Sequence, residues 1–99
     1  MTKEEMKVLM DENFKSGRKL REELQKRNFG IQTSLLRMGS CFETRNYDVF
    51  FDIVTKIIFR TQISISESFF TSYPDKEKFA IASRALLAGM ICKDDEEIE

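Results

Sequence analysis

The sequence predicts an all-α protein, folded as a compact bundle of about five helices. Chain-breaking residues are scarce, with one Pro and four Gly in 99 residues, and no Asn-Gly or Asp-Gly pair marks a β-hairpin. Apolar residues recur three or four positions apart, which is the spacing of a buried helix face. Residue types that cap helix ends separate these stretches. These three observations predict a single helical domain over residues 1–92.

The first predicted helix begins at Thr2, because Thr2 and Glu5 form the pattern of a capping box. Gly17 lies inside this helix and weakens it by about 1 kcal/mol relative to alanine, so the pattern allows one kinked helix or two pieces. Residues 28–30 end the helix, with Gly30 expected in the left-handed conformation. The apolar positions are Met6, Leu9, Met10, Phe14, Leu20 and Leu24.

The second predicted helix covers residues 31–42, and Asn46 is the expected N-cap of the third. The third helix has the clearest apolar stripe in the chain: Val49, Phe50, Ile53, Val54, Ile57 and Ile58. The alternating run at 63–66 has no partner strand, so a turn followed by a short helix at 66–72 is predicted.

Asp75 is expected to cap a last helix from Lys76 to about Ile91. Its expected core positions are Phe79, Ala80, Ala82, Ser83, Leu86, Leu87 and Met90. Small residues on this helix permit close approach of a neighbouring helix: Ala82, Ala85, Ala88 and Gly89. The remaining stretch, 93–99, is predicted to be a disordered acidic tail.

The residue types indicate a protein that binds and does not catalyse. The chain has no histidine, which removes the commonest general base and metal ligand. Cys41 and Cys92 lack the clustered partners of a zinc site. Carboxylate pairs such as Glu22-Glu23 belong to charged helix faces, where a solvated surface is favoured over a catalytic pair. We therefore predict no enzymatic activity, no metal and no cofactor.

The two cysteines have neither CxxC spacing nor a disulfide-rich context, so both are expected to be reduced thiols in a cytoplasmic protein. No run approaches the ~18 apolar residues of a membrane span. The amino-terminal stretch is charged and amphipathic, unlike a signal peptide.

The net charge of −1 conceals a basic middle segment, because residues 15–60 carry ten Lys/Arg against five Asp/Glu while 93–99 sum to −4. Such cations can neutralise phosphates without reading bases. On charge alone, an ordinary solvated helix face is the favoured interpretation.

Several segments, taken in order, form a more specific pattern over about residues 14–91. They are Ser-Gly-Arg-Lys-Leu-Arg-Glu at 16–22, Ser-Leu-Leu-Arg at 34–37, Arg-Asn-Tyr-Asp-Val-Phe at 45–50, Phe69, Phe70 and Phe79, and Arg-Ala-Leu-Leu-Ala-Gly-Met at 84–90. This order resembles the C-terminal helical region of the large subunit of type I-B (Cst-like) CRISPR Cascade complexes. The chain departs from that pattern at Ile65-Ser66, where the family commonly has Ile-Pro, and in the ending at 86–90, where the family usually has an aromatic residue.

The resemblance implies a Cascade small subunit, present in several copies that contact one another and the backbone and large subunits. Such a subunit helps to hold the guide RNA–target DNA hybrid and the displaced strand, while base pairing reads the sequence. The expected phosphate contacts are Arg18, Lys19, Lys26, Arg27, Arg37, Arg45, Lys56 and Arg60. Arg37 and Arg45 lie at or beside motif positions, and the other six are expected from charge alone.

Two other functions fit a small helical chain. A protein–protein adaptor or inhibitor of phage or toxin-system type would use exposed Phe and Met side chains and have no nucleic-acid role. A helix-turn-helix regulator ranks last, because no clear turn separates a supporting helix from a recognition helix.

Overall fold

The computed structural model describes residues 1–92 and shows the all-α bundle that the sequence predicts. Five helices follow one another: α1 (Lys3–Lys26), α2 (Gln32–Glu43), α3 (Tyr47–Thr61), α4 (Glu67–Thr71) and α5 (Lys76–Ile91). The bounds of α5 are those predicted, whereas α2 lies one residue later than expected. The predicted acidic tail, 93–99, lies outside the described residues.

Helix α1 is continuous through Gly17, and its capping box forms with the Glu5 backbone N–H donating to Thr2 Oγ1 at 3.1 Å. The prediction of a left-handed Gly30 is wrong, because Asn28 takes that conformation with φ 55°. The Asn28 and Phe29 N–H groups donate to the carbonyls of Gln25 and Leu24 at 3.0 and 2.9 Å. This is a Schellman ending, and Asn tolerates its left-handed position better than most side chains.

Helices α1 and α5 run in the same direction and touch at two glycines. A Cβ at Gly17 would collide with the carbonyl oxygen of Leu86, and a Cβ at Gly89 would collide with that of Phe14. The Cβ at Gly89 would also lie 3.1 Å from the Gly17 Cα. Gly17 is therefore a packing residue of a close helix pair, and its cost in helix propensity is offset by that contact.

All five helices contribute to the core, and its aromatic part lies where α3, α4 and α5 meet. Phe50, Phe69 and Phe79 are fully enclosed, with centroid distances of 6.2 Å for the first pair and 5.1 Å for the second. Edge-to-face and offset contacts of this kind add to the burial of the rings. The stripe on α3 is narrower than predicted, because Val49 is 38% exposed. On α5, Ala88, one of the small residues that were expected to permit close helix approach, is exposed.

A small polar cluster fixes α4 against α1. The buried Asn13 amide donates to the Leu9 carbonyl at 2.8 Å and to Ser68 Oγ at 3.0 Å. The Ser66 N–H donates to Ser16 Oγ at 2.8 Å. Buried polar groups are stabilising only when they are hydrogen-bonded, so these contacts determine where the short helix sits.

Tyr73 ties the link between α4 and α5 to the start of α3, and this contact predicts a pH dependence. Its hydroxyl donates a hydrogen bond to Asp48, which raises the pKa of Tyr73 above its ordinary value of 10.0, with smaller contributions from desolvation and from the carboxylate charge. A raised folded-state pKa means that the contact stabilises the fold below pH ~10 and is lost as the pH rises through that pKa. We expect Tyr73→Phe to be less stable than the wild type at neutral pH. The difference should vanish at strongly alkaline pH, measured by urea unfolding across the pH range.

Candidate nucleic-acid interface

A groove of about 960 Å³ lies between α3 and the amino-terminal half of α2. Three of the eight predicted phosphate contacts line it together: Arg37 from α2, and Lys56 and Arg60 from α3. We call this the cationic groove. Its remaining lining residues are Phe29, Gly30, Ser34, Asp52, Ile53, Thr55, Ile57 and Phe59.

The helical period of α3 explains why these side chains face outward. The buried side of α3 carries Phe50, Ile53, Val54 and Ile57. Lys56 and Arg60 are four residues apart and lie one above the other at the solvated edge of α3, about 90° around the helix from that buried side. The packing of α2 against α3 then brings Arg37 to the same groove. The three cations converge only because two helices meet.

One carboxylate lies among the three cations. Lys56 Nζ is 3.0 Å from Asp52 Oδ2, with side-chain exposures of 72% and 58%. An exposed pair of this kind contributes at most about 1 kcal/mol, so Lys56 can leave Asp52 for a phosphate at small cost. The groove as a whole therefore remains positively charged.

The amino-terminal turn of α2 adds to this positive potential. Four of the five described helices have a side-chain N-cap, whereas α2 begins at Ile31 with no side-chain cap and no acidic residue in its first turn. The first N–H groups of a helix lack helical partners and carry the positive end of its dipole. Gly30 and Ser34, at either side of this turn, both line the groove.

Phe59 also lines the cationic groove, although charge alone did not predict it as a site residue. Its side chain is 78% exposed and lines the cationic groove between Lys56 and Arg60 in sequence. The signal was present in the sequence, because the helical period places Phe59 about 200° from the buried Ile57. An aromatic side chain left in water beside cations is typical of surfaces that bind nucleic-acid strands.

The basic residues at the end of α1 have partners within the chain. Lys26 Nζ lies 3.4 Å from Glu23 Oε2, and Arg27 Nη2 lies 3.9 Å from Glu23 Oε1. Arg27 Nη1 also donates to the carbonyl of Thr61, the last residue of α3. A cation at the carboxyl end of a helix satisfies free carbonyls and opposes the helix dipole, so Arg27 stabilises the end of α3.

Arg21 interacts with the carboxyl end of α5 as Arg27 does with the end of α3. It was not among the predicted site residues. Its Nη1 lies 3.3, 3.0 and 2.9 Å from the carbonyl oxygens of Met90, Ile91 and Cys92. Part of the basic middle segment therefore holds the fold together through helix ends.

The other three predicted contacts lie outside the cationic groove. Arg18 is half-buried on α1, with its backbone nitrogen 3.0 Å from where a Gly89 Cβ would stand. Lys19 is exposed on α1, and Arg45 is exposed in the link between α2 and α3 with φ 56°. The structure thus gathers Arg37, Lys56 and Arg60 and leaves Arg45 at the far end of α3, beyond Tyr47.

The cysteines and acidic clusters of the described residues do not form a reactive site. Cys41 and Cys92 are free thiols, and burial raises the pKa of Cys41 while nearby Arg37 opposes that change. A thiol with a raised pKa is a poor nucleophile. Within residues 1–92, no group of three or more His, Cys, Asp or Glu residues is placed to hold a metal ion.

Comparisons of this chain with models of known protein families, with curated protein sequences and with solved structures find no match. Among the helices described here, none is long and apolar enough to cross a membrane.

Proposed function

We propose that this protein is a non-catalytic small subunit of a CRISPR Cascade complex and acts in the cytoplasm. In this role it stabilises the guide RNA–target DNA hybrid and the displaced strand through phosphate contacts that do not depend on sequence. The observation that carries the proposal is the cationic groove, where Arg37, Lys56 and Arg60 surround the exposed Phe59. Cations grouped in one groove attract a phosphate backbone more strongly than the same charges scattered over a surface.

The segments that carry the resemblance to Cascade subunits have definite places in the fold, which supports the proposal. Gly17 and Gly89 belong to two different segments and form the close contact between α1 and α5. Asn46 caps α3, with the Val49 N–H donating to its Oδ1 at 3.3 Å. Arg37 ends a further segment and lines the cationic groove. Residues far apart in the sequence thus serve one architecture and one surface.

The geometry agrees with a subunit that grips a strand without reading it. Arg37 and Arg60 are exposed at the groove, and within residues 1–92 the ion-pair partner of Lys56 is the exposed Asp52. Contacts to phosphates position a nucleic acid and carry no sequence information. Sequence selection is then left to the pairing of guide RNA with target DNA.

A protein–protein adaptor or inhibitor is the second candidate function, and one observation favours it. Met6, Val8 and Met10 are 38%, 55% and 47% exposed along the first half of α1. Exposed Met side chains adapt to a protein partner. In the proposed complex this face of α1 would contact a neighbouring subunit.

Recovery of the protein from its native cells tests the proposal. We expect affinity-tagged chain to bring down a guide RNA together with the backbone and large subunits of the complex. In a sample treated with ribonuclease before capture, a guide RNA enclosed by the complex should persist, whereas RNA carried along by other proteins should be lost. Recovery of a single host or toxin-system protein, with no RNA and no Cascade subunit, would establish the adaptor function instead.

A further inference from the structure

A second groove lies on the other side of Phe59. It encloses about 440 Å³ and shares Thr55 and Phe59 with the cationic groove. Its walls are mostly apolar, and we call it the apolar groove. The other lining residues are Ile58, Gln62, Ile63, Ser64, Ile65 and Phe70.

Phe59 forms the ridge between the two grooves, and neighbouring contacts hold that ridge in place. The Gln62 side chain donates to the Phe59 carbonyl at 2.8 Å, and Arg27 donates to the Thr61 carbonyl. On the far wall, Phe70 packs edge-to-face on Phe69 with centroids 5.4 Å apart. The end of α3 is therefore a fixed platform, which lowers the entropy lost when a ligand binds.

We propose that an unpaired base stacks on Phe59 and enters the apolar groove while the adjoining phosphates occupy the cationic groove. This inference rests on the proposed function and specifies its ligand, a single strand with at least one base free. A nucleotide has an anionic phosphate beside a flat apolar base. This arrangement matches a cationic groove beside an apolar groove. Because Phe59 lines both grooves, they adjoin, as the phosphate and base of one strand do.

The exposed ring selects a single strand over a duplex. In a duplex each base is stacked between its neighbours, so no base face is open to Phe59 unless a base is first removed from the stack. In a free strand every base offers such a face, and aromatic stacking tolerates all four bases. The site thus prefers unpaired strands without preferring a sequence.

Fluorescence of a Phe59→Trp variant tests the stacking directly. The chain contains no Trp, so the variant has one reporter at the ridge. We expect quenching on titration with oligothymidylate, and none with a strand of equal length made only of abasic phosphodiester units. Phe59→Ala should bind oligothymidylate about tenfold more weakly and the abasic strand with unchanged affinity, since a stacked base accounts for about that factor.

A Val8→Trp variant is the matched control, because Val8 is 55% exposed on α1 and does not line either groove. Its fluorescence should not respond to oligothymidylate. Equal affinity of the wild type for oligothymidylate and the abasic strand would overturn the stacking proposal. So would quenching by polyglutamate of matched charge, which would identify an acidic protein as the occupant.

The two proposals fail in different ways. If reversing the three groove charges lowers binding but Phe59→Ala does not, phosphate binding stands and base stacking is wrong. If reversing the charges leaves binding unchanged, the proposed function itself is wrong.

Discussion

Replacing Gly89 with alanine is expected to lower the free energy of unfolding by about 3 kcal/mol, a typical cost of overpacking a closed contact. The new Cβ would collide with the carbonyl oxygen of Phe14 and lie 3.0 Å from the Arg18 nitrogen. These atoms belong to the backbone of α1, so no side-chain rotation can relieve the clash. The helix propensity of alanine returns only about 1 kcal/mol.

The loss is large for a domain of this size. Stability of about 0.05–0.15 kcal/mol per residue predicts a total of roughly 5–14 kcal/mol for 92 residues. A decrease of about 3 kcal/mol corresponds to a fall in Tm of about 12–24 °C, which thermal denaturation followed by circular dichroism will measure. Gly17→Ala should have a similar effect, because its Cβ would collide with the Leu86 carbonyl oxygen.

Gly39→Ala is the matched control for this prediction. Gly39 lies within α2, and a Cβ there would meet nothing within 4 Å. The same substitution should therefore stabilise the protein by up to about 1 kcal/mol, since alanine loses less entropy in a helix. If Gly39→Ala destabilised the fold as much as Gly89→Ala, the close contact between α1 and α5 would not be the cause.

The sequence predicted those features of the fold that depend on neighbouring residues. Asp75 caps α5, and Asn46 caps α3, as the residue types indicated. The packing role of Gly17 was not predicted, because its partner Gly89 lies 72 positions away and no local signal links them. Helix propensity alone identifies Gly17 as destabilising to α1, whereas the close contact with α5 requires a glycine at this position.

The candidate site could likewise be predicted only in part, because it too depends on contacts between residues far apart in the sequence. Charge alone identified Lys56 and Arg60, and their four-residue spacing on α3 explains why they lie on one face. That Arg37 joins them depends on the packing of α2 against α3, which spacing along one helix does not contain. The interactions of Arg27 with Thr61 and of Arg21 with the end of α5 are likewise tertiary. A basic segment in a sequence therefore mixes cations that line a surface groove with cations that interact with helix ends.

Reversing all three groove cations, as Arg37→Glu, Lys56→Glu and Arg60→Glu together, is expected to weaken binding of single-stranded DNA about 100-fold at low salt. Each lost phosphate contact contributes about 1 kcal/mol at ~4 Å in water, and three such losses correspond to about that factor. Fluorescence anisotropy with a labelled oligonucleotide measures the change.

The matched control is Lys3→Glu, Lys7→Glu and Lys76→Glu. Each triple variant changes the net charge of the chain by the same amount, and these three lysines are exposed on α1 and α5, outside the cationic groove. Charges farther from the bound strand than ~10 Å are largely screened at 0.1 M salt, so the control should lose less than about threefold. Equal losses in the two variants would show that net charge, and not the groove, determines binding.

The salt dependence separates groove binding from loss of folding. Three phosphate contacts to a single strand predict a slope of about −2 in a plot of log K against log salt concentration. That slope should approach zero when Arg37, Lys56 and Arg60 are all replaced by glutamine, which removes the charges without adding repulsion from Asp52. Circular dichroism of the glutamine variant should match the wild type, because all three side chains are exposed. A slope that stayed near −2 in a folded glutamine variant would place the phosphate contacts elsewhere on the chain, with Lys19 and Arg45 the next residues to replace.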